Sequence, residues 1–337
     1  MTVKPDLKTT YLGLELKNPL MAAPSPLTGE LPSMKALEDA GASAIVLPSL
    51  FEEQIEHEEI QAHRLDLYGA ESFHEAQNYF PDVGHDGIGP DSYLDRIRRA
   101  KEHLSIPVVA SLNGHTAGGW VHYAQLLEQA GADALELNIY YIPTEIGETG
   151  AEVESHYLDL LRRVREEVQL PLAVKIGPAF SSLANMAKGF EAAGADGLVM
   201  FNRFLEPDIE LDTLHVVPKL ELSSHQTMRL ALRWTAIMYG QVDLSIATTG
   251  GAHSSEDAIK LILAGSDVVM MASTLLRHGP HFMAKLVDEL SFWLEDNEYV
   301  SVQQAKGSMS RMNCPDPSSF ERVNYMKALA SFTSEMV

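Results

Sequence analysis

A short motif, Ala-Gly-Ala-Asp or a close variant, occurs four times in the 337-residue chain. The copies begin at Ala40, Ala130, Ala193 and Ala264. Each copy follows a segment with helical spacing of apolar residues and precedes a short apolar run. A glycine in this place is typical of a helix C-cap that turns the chain into the next element. The motif therefore predicts a repeated succession of helix, turn and buried strand.

Eight short apolar runs alternate with amphipathic segments along the whole chain. The runs do not alternate between apolar and polar residues, as expected for parallel strands covered by helices on both faces. The predicted strands are residues 20–23, 44–47, 107–112, 134–139, 172–176, 197–201, 244–248 and 268–272. The predicted helices are residues 32–40, 91–103, 120–130, 155–168, 181–193, 224–239, 254–264 and 280–296. This pattern predicts an α/β protein with one domain over residues 1–337, a (β/α)₈ TIM barrel rather than an open sheet.

Two insertions interrupt the alternation. One covers residues 51–90 after the second strand, and the other covers residues 205–223 after the sixth strand. Both leave the C-terminal side of a strand, where barrel enzymes build covers for their active sites. Residues 209–217 alternate in polarity, so we expect a small antiparallel piece within the second insertion.

Charge and cysteine content narrow the possible partners. Asp and Glu number 47 against 25 Lys and Arg, which gives a formal net charge of −22. This charge repels nucleic acid and anionic lipid surfaces, so neither is an expected partner. The single cysteine, Cys314, cannot form an intramolecular disulfide, an iron–sulfur cluster or a Cys-rich zinc site by itself. With no run of 18 apolar residues, the sequence predicts a cytoplasmic protein that does not span a membrane.

A histidine- and glutamate-rich stretch in the first insertion could suggest a metal site. His57 and His63 lie six residues apart, which does not match the His-Glu-x-x-His spacing of zinc enzymes. A solvated acidic helix face explains the stretch better, and we expect no metal.

Polar residues end four successive predicted strands. They are Asn113, Asn138, Lys175 and Asn202. One asparagine at a strand end is usually a turn residue, but the carboxyl ends of all barrel strands meet at one rim. The four residues together therefore predict a ligand site there.

Lys175 lies within an apolar strand, where an ammonium group needs a partner. It could form a buried ion pair with Glu136, or it could stabilise negative charge on a reduced flavin. A third alternative is a Schiff-base lysine in a lyase or isomerase barrel that binds a phosphorylated substrate.

Gly250 and Gly251 follow the seventh strand and precede a helix, and Ser273 and Thr274 follow the eighth strand. Backbone N–H groups at such turns bind phosphate, and barrels often hold phosphate after these two strands. The alternative is an ordinary turn, since paired glycines are common in loops.

Several segments in this order resemble the dihydroorotate dehydrogenase family, which includes the pyrimidine-reducing part of dihydropyrimidine dehydrogenase. The resemblance spans about residues 11–290 and rests on Asn18-Pro-Leu-Met-Ala-Ala, Ala134-Leu-Glu-Leu-Asn138, Pro171-Leu-Ala-Val-Lys175, Asn202, Thr249-Gly-Gly251 and Gly279-Pro280. It implies an FMN-dependent oxidoreductase of pyrimidine biosynthesis that oxidises dihydroorotate by hydride transfer to flavin N5. It also implies a homodimer.

Residue by residue, the resemblance implies two groups of flavin contacts. The flavin ring and ribityl chain would contact Ala23, Ser49, Asn138, Lys175 and Asn202. The phosphate would contact Gly250, Gly251, Ser273 and Thr274. Substrate binding would involve Asn138 and Asn202, together with His85 in the first insertion.

Two positions depart from the family pattern. Tyr141 stands where the family has a Cys or Ser base, so Tyr141 becomes the candidate base beside the catalytic candidate Lys175. A tyrosine with its usual pKa near 10 would need a nearby cation to act at neutral pH. Pro48 stands where other members without a membrane anchor carry a lysine, and Pro143 stands at an asparagine position. These departures leave open a flavin-bearing module that lacks dihydroorotate activity and passes electrons to a separate subunit.

Overall fold

Eight parallel strands, here β1 to β8, close into a barrel in the computed structural model, which describes residues 4–57, 89–116, 118–203, 205–322, 325–326 and 329. The strands are Leu20–Ala22, Ile45–Val46, Val108–Asn113, Ala134–Asn138, Leu172–Ile176, Gly197–Met200, Ser245–Thr249 and Val268–Met271. Each strand pairs with the next along the chain, and β8 pairs with β1 to complete the ring. The predicted (β/α)₈ barrel is therefore confirmed.

A helix follows each strand and packs outside the ring. The helices, α1 to α8, are Leu31–Asp39, Pro90–His103, Tyr123–Gln129, Gly150–Glu167, Leu183–Ala192, His225–Met238, Ser255–Ala264 and Phe282–Asp296. The largest difference from prediction is α4, which begins at Gly150 rather than at residue 155. A capping box explains this, because Thr149 accepts a hydrogen bond from the Glu152 N–H and the Glu152 side chain bonds back to the Thr149 N–H.

The end of α1 is fastened to the chain that follows α2. The Glu38 carboxylate accepts hydrogen bonds from the Ser105 N–H at 2.7 Å and from Lys35 Nζ at 2.6 Å. Burial opposes the charge of this carboxylate, but these hydrogen bonds outweigh burial and lower the pKa of Glu38 to about 2. Part of the stability of the α1 side of the barrel therefore depends on an ionised Glu38.

The N-terminal end of the barrel is closed by an antiparallel hairpin, Thr9–Tyr11 with Leu14–Leu16. Leu12 and Leu16 pack into the buried cluster that fills the inside of the ring. Gly197 makes this contact possible, because a Cβ there would lie 2.5 Å from Leu12 Cδ2. Apolar packing at this end leaves the opposite, C-terminal end for polar side chains.

The second insertion forms a small hairpin, as predicted. Strands Pro207–Glu210 and His215–Pro218 pair antiparallel, with Ile209 opposite Val216. Of the first insertion, residues 51–57 and 89–90 are described, whereas His63 and His85 lie outside the described residues. No helix in the described part of the chain is long and apolar enough to cross a membrane.

Candidate functional site

A cavity of about 1000 Å³ opens at the C-terminal ends of the barrel strands. Its walls come from residues 24–30 and 48–51, from α2, and from the second insertion. Its less exposed lining residues include four polar ones, Ser49, Asn113, Asn138 and Asn202. Four residues expected at the site, Ser49, Asn113, Asn138 and Asn202, are thus brought to one cavity.

A row of polar residues crosses three neighbouring strands beside this cavity. Asn113 pairs in register with Asn138, and Asn138 pairs with Lys175. Asn202 Nδ2 donates a hydrogen bond of 2.7 Å to Asn138 Oδ1. This contact holds both amides in one orientation, so the Asn138 NH₂ group and the Asn202 carbonyl are left to contact a ligand.

Lys175 forms the ion pair that the sequence offered as an alternative. Its Nζ atom lies 3.2 Å from Glu136 Oε1, and the two side chains are only 9% and 1% exposed. The other carboxylate oxygen, Oε2 of Glu136, has no hydrogen-bond partner among the described residues. Lys175 itself is not part of the cavity lining, although its strand neighbour Asn138 is. The pair satisfies one of the three ammonium donors.

Ser49 is positioned by a network that the sequence did not reveal. Its hydroxyl lies 2.8 Å from the hydroxyl of Ser111, which is fully buried in β3. The Tyr93 hydroxyl from α2 accepts from the Ser111 N–H at 3.0 Å and donates to the Ser111 carbonyl at 3.2 Å. Burial raises the pKa of Tyr93 beyond the usual range of a phenol, so it stays a neutral donor and acceptor.

The predicted phosphate residues meet around Ser223, at the end of the second insertion. The Ser223 hydroxyl accepts from the Gly251 N–H at 3.1 Å and donates to Ser273 Oγ at 2.8 Å. The Ser223 carbonyl lies 2.7 Å from His253 Nε2, and burial lowers the pKa of His253. Thr274 donates to the His253 carbonyl at 3.4 Å. Ser223 was not predicted, since a serine in an insertion carries no distinctive pattern.

Two neighbouring glycines shape this turn. Gly250 and Gly251 have φ values of +89° and +88°, in the region that glycine tolerates best. A Cβ on Gly250 would meet no atom within 4 Å, whereas a Cβ on Gly251 would lie 2.5 Å from the Met228 backbone nitrogen. Ala23, the remaining predicted contact, is buried at the end of β1 and donates from its N–H to the Met271 carbonyl.

Tyr141 does not line the cavity. Its hydroxyl donates to Glu148 Oε2 at 2.7 Å, and this hydrogen bond raises the pKa of Tyr141. Its ring stacks between His115 and His156, with centroid distances of 5.4 and 5.5 Å. The neighbouring Tyr140 does line the cavity, and its hydroxyl accepts from the Leu205 N–H at 2.8 Å. The base role of Tyr141 stays a prediction.

The closed barrel has a cavity with amide side chains at the C-terminal ends of its strands, which is where enzymes of this fold have their active sites. The sequence model of the family described as dihydroorotate dehydrogenase matches residues 6–294. The chain therefore belongs to the dihydroorotate dehydrogenase family, whose members are oxidoreductases acting on CH–CH groups.

Two curated relatives illustrate the similarity. The dihydroorotate dehydrogenase B (NAD(+)) catalytic subunit of Thermoplasma acidophilum is 26% identical over 312 residues, which cover 90% of this chain and 98% of the relative. The protein of the same name from Methanocaldococcus jannaschii is 27% identical over 301 residues, which cover 86% and 94% of the two chains.

Proposed function

We propose that this chain binds FMN and oxidises dihydroorotate, or a related dihydropyrimidine-like substrate, in pyrimidine metabolism. The observation that carries the proposal is the cavity at the strand ends, where Asn138 and Asn202 hold each other in place next to Lys175. Amide groups complement the N–H and C=O edges of flavins and dihydropyrimidines.

The residue types present at two places in the structure support the proposal of FMN. The cavity of about 1000 Å³ has room for a large aromatic ligand, and its buried lining offers hydrogen-bond donors and acceptors. Ala23, Ser49, Asn138, Lys175 and Asn202 would hold the ring and the ribityl chain.

The second place is the turn around Ser223. Gly250, Gly251, Ser273 and Thr274 would hold the phosphate, with the Ser223 hydroxyl already bonded to two of them. Backbone N–H groups and hydroxyls are the donors that phosphate groups require.

FMN would supply a reversible acceptor for the two electrons and the proton of a hydride. The residues of the chain would bind and orient the cofactor and the substrate, and would stabilise the charge that develops during reduction. The Lys175 ammonium, fixed by Glu136, would place a positive charge where negative charge develops during reduction. A base role for Tyr141 would require its hydroxyl to leave Glu148 and turn toward the cavity, because the hydrogen bond to Glu148 moves its pKa in the wrong direction.

A second candidate function is favoured by the position of Tyr141. A flavin-bearing subunit that passes electrons to a separate partner needs no base of its own, and Tyr141 lies outside the cavity lining. The relatives described above carry the name catalytic subunit, which supports a separate electron-transfer subunit. A homodimer in the cytoplasm remains part of the proposal. The Schiff-base alternative for Lys175 has no support in the family match, and its ammonium is held in an ion pair.

Spectroscopy of the purified protein tests both candidates. We expect a yellow protein whose flavin absorbance is bleached by dihydroorotate under anaerobic conditions. A flavin that stays oxidised with dihydroorotate but is reduced through a co-purified reductase would favour the electron-transfer subunit. A protein that binds no FMN when the cofactor is supplied would refute both.

A further inference from the structure

Asn113 carries a buried amide that none of the other described residues satisfies. It is the last residue of β3, and strand pairing with Phe51 and Asn138 fixes its backbone on both sides. Its side chain lines the cavity, is only 8% exposed, and forms no hydrogen bond to the described residues. Leaving a buried amide unpaired is unfavourable, and nearly all such groups in proteins have a partner. The amide is therefore available to a ligand in the cavity.

Arg96 lines the same cavity as Asn113. It extends from α2, and its guanidinium lies 5.9 Å from the centre of the Tyr93 ring. The Tyr93 hydroxyl in turn bonds to Ser111, two residues before Asn113. These contacts link the cation on α2 to the backbone of β3, two residues before Asn113.

The other charges of the cavity wall differ from Arg96 in exposure. Glu30, Arg203, Glu206, Asp208, Lys219 and Glu221 line the cavity as exposed side chains. Lys219 also lies 3.1 Å from Asp208 and 3.6 Å from Glu221, so its charge is already matched. Arg96 is half-buried, and none of the described carboxylates lies within 4 Å of it. Within the described lining, a partly desolvated charge is thus found only at Arg96.

We propose that Arg96 and Asn113 form a substrate subsite that binds a carboxylate and the amide next to it. This assignment rests on the proposed function and specifies how the same cavity selects its substrate. A guanidinium can donate two parallel hydrogen bonds to a carboxylate, and an asparagine offers one donor and one acceptor to an N–H and C=O pair. Dihydroorotate and its oxidised product, orotate, carry both groups on one ring.

Equilibrium titration of the oxidised, FMN-loaded protein tests the subsite without turnover. Orotate and uracil are the two probes, because uracil has the same amide edge without the carboxylate. Binding is followed by the change in flavin absorbance. R99Q is the matched control, since Arg99 is an exposed residue of the same helix outside the cavity lining.

The two variants should change the two affinities differently. R96Q should weaken orotate binding about 10- to 100-fold, because charge-assisted hydrogen bonds are lost, and should change uracil binding less than about threefold. N113A should weaken the binding of both probes, and R99Q should change neither. R96K should give an intermediate loss for orotate, since it keeps the charge without the planar fork.

Each contrary result has a distinct meaning. If R96Q and N113A bind orotate as tightly as the wild type does, the subsite alone would be overturned. Equal losses of orotate and uracil in R96Q would overturn the carboxylate assignment. Loss of FMN from folded N113A would assign Asn113 to the cofactor instead. Wild-type protein that holds FMN but binds neither probe would overturn the proposed substrate, and the subsite with it.

Discussion

Gly250 and Gly251 allow a controlled test of the proposed phosphate turn. Both residues have nearly the same positive φ, so an alanine at either position pays a similar backbone cost of about 1–2 kcal/mol. The two sites differ in space. G250A places its methyl group where no atom lies within 4 Å, whereas G251A places it 2.5 Å from the Met228 nitrogen and 2.6 Å from the Ser224 carbonyl.

The steric difference sets the expected magnitude. Both contacts of G251A are with backbone at the start of α6, which cannot move aside as a side chain can. Overpacking of this kind adds about 1–3 kcal/mol. We therefore expect G250A to lower the free energy of unfolding by about 1–2 kcal/mol and G251A to lower it by about 2–5 kcal/mol.

Urea denaturation of the two variants and the wild type, followed by circular dichroism, measures this difference. The slopes must agree among the three proteins for the comparison to hold. The affinity for FMN gives a second measurement, because displacing α6 would also move Ser223 away from the Gly251 N–H. If G251A were as stable as G250A and bound FMN equally well, the close packing described for this turn would be wrong.

Three further predictions concern single side chains. E136Q and K175M should each lower the free energy of unfolding by about 3–5 kcal/mol, because each leaves a buried charge unpaired. The double variant should lose less stability than the sum of the two single losses. Additive losses in urea denaturation would contradict the pairing. Folding lowers the pKa of Glu38, so the wild type should be more stable than E38Q by about 1–3 kcal/mol above pH about 5. This difference in stability should disappear as the pH falls toward 2. A difference that does not depend on pH would refute the linkage. Y141F should slow flavin reduction by dihydroorotate less than about threefold in rapid mixing, because the phenol is engaged with a carboxylate outside the cavity, whereas a loss of more than about 100-fold would establish it as the base.

The repeated helix-to-strand turns were enough to predict the barrel. Each glycine of the Ala-Gly-Ala-Asp motif marks the point where a helix ends and a buried strand begins, and Gly41, Gly131, Gly194 and Gly265 all have positive φ. Because strands in a closed barrel are parallel, the polar residues at their ends had to share one rim. The gathering of Ser49, Asn138 and Asn202 in one cavity follows from that geometry.

Other features depended on contacts between distant residues. The partner of Lys175 was ambiguous from sequence. A buried ammonium group needs a counter-charge, but the position of Lys175 in the sequence does not say whether Glu136 or a ligand supplies that charge. Tyr93 and Ser223 were not recognised, since a tyrosine on an amphipathic helix and a serine in an insertion have many ordinary explanations. Their roles emerge only when α2 packs on β3 and when the second insertion returns to the seventh strand.

The position of Ser223 has a mechanical consequence for the protein. The second insertion ends in Ser223, which is bonded to the two loops that we propose to hold the phosphate. A ligand that orders those loops is therefore expected to order the end of this insertion as well, which would link cofactor binding to access at the open end of the barrel.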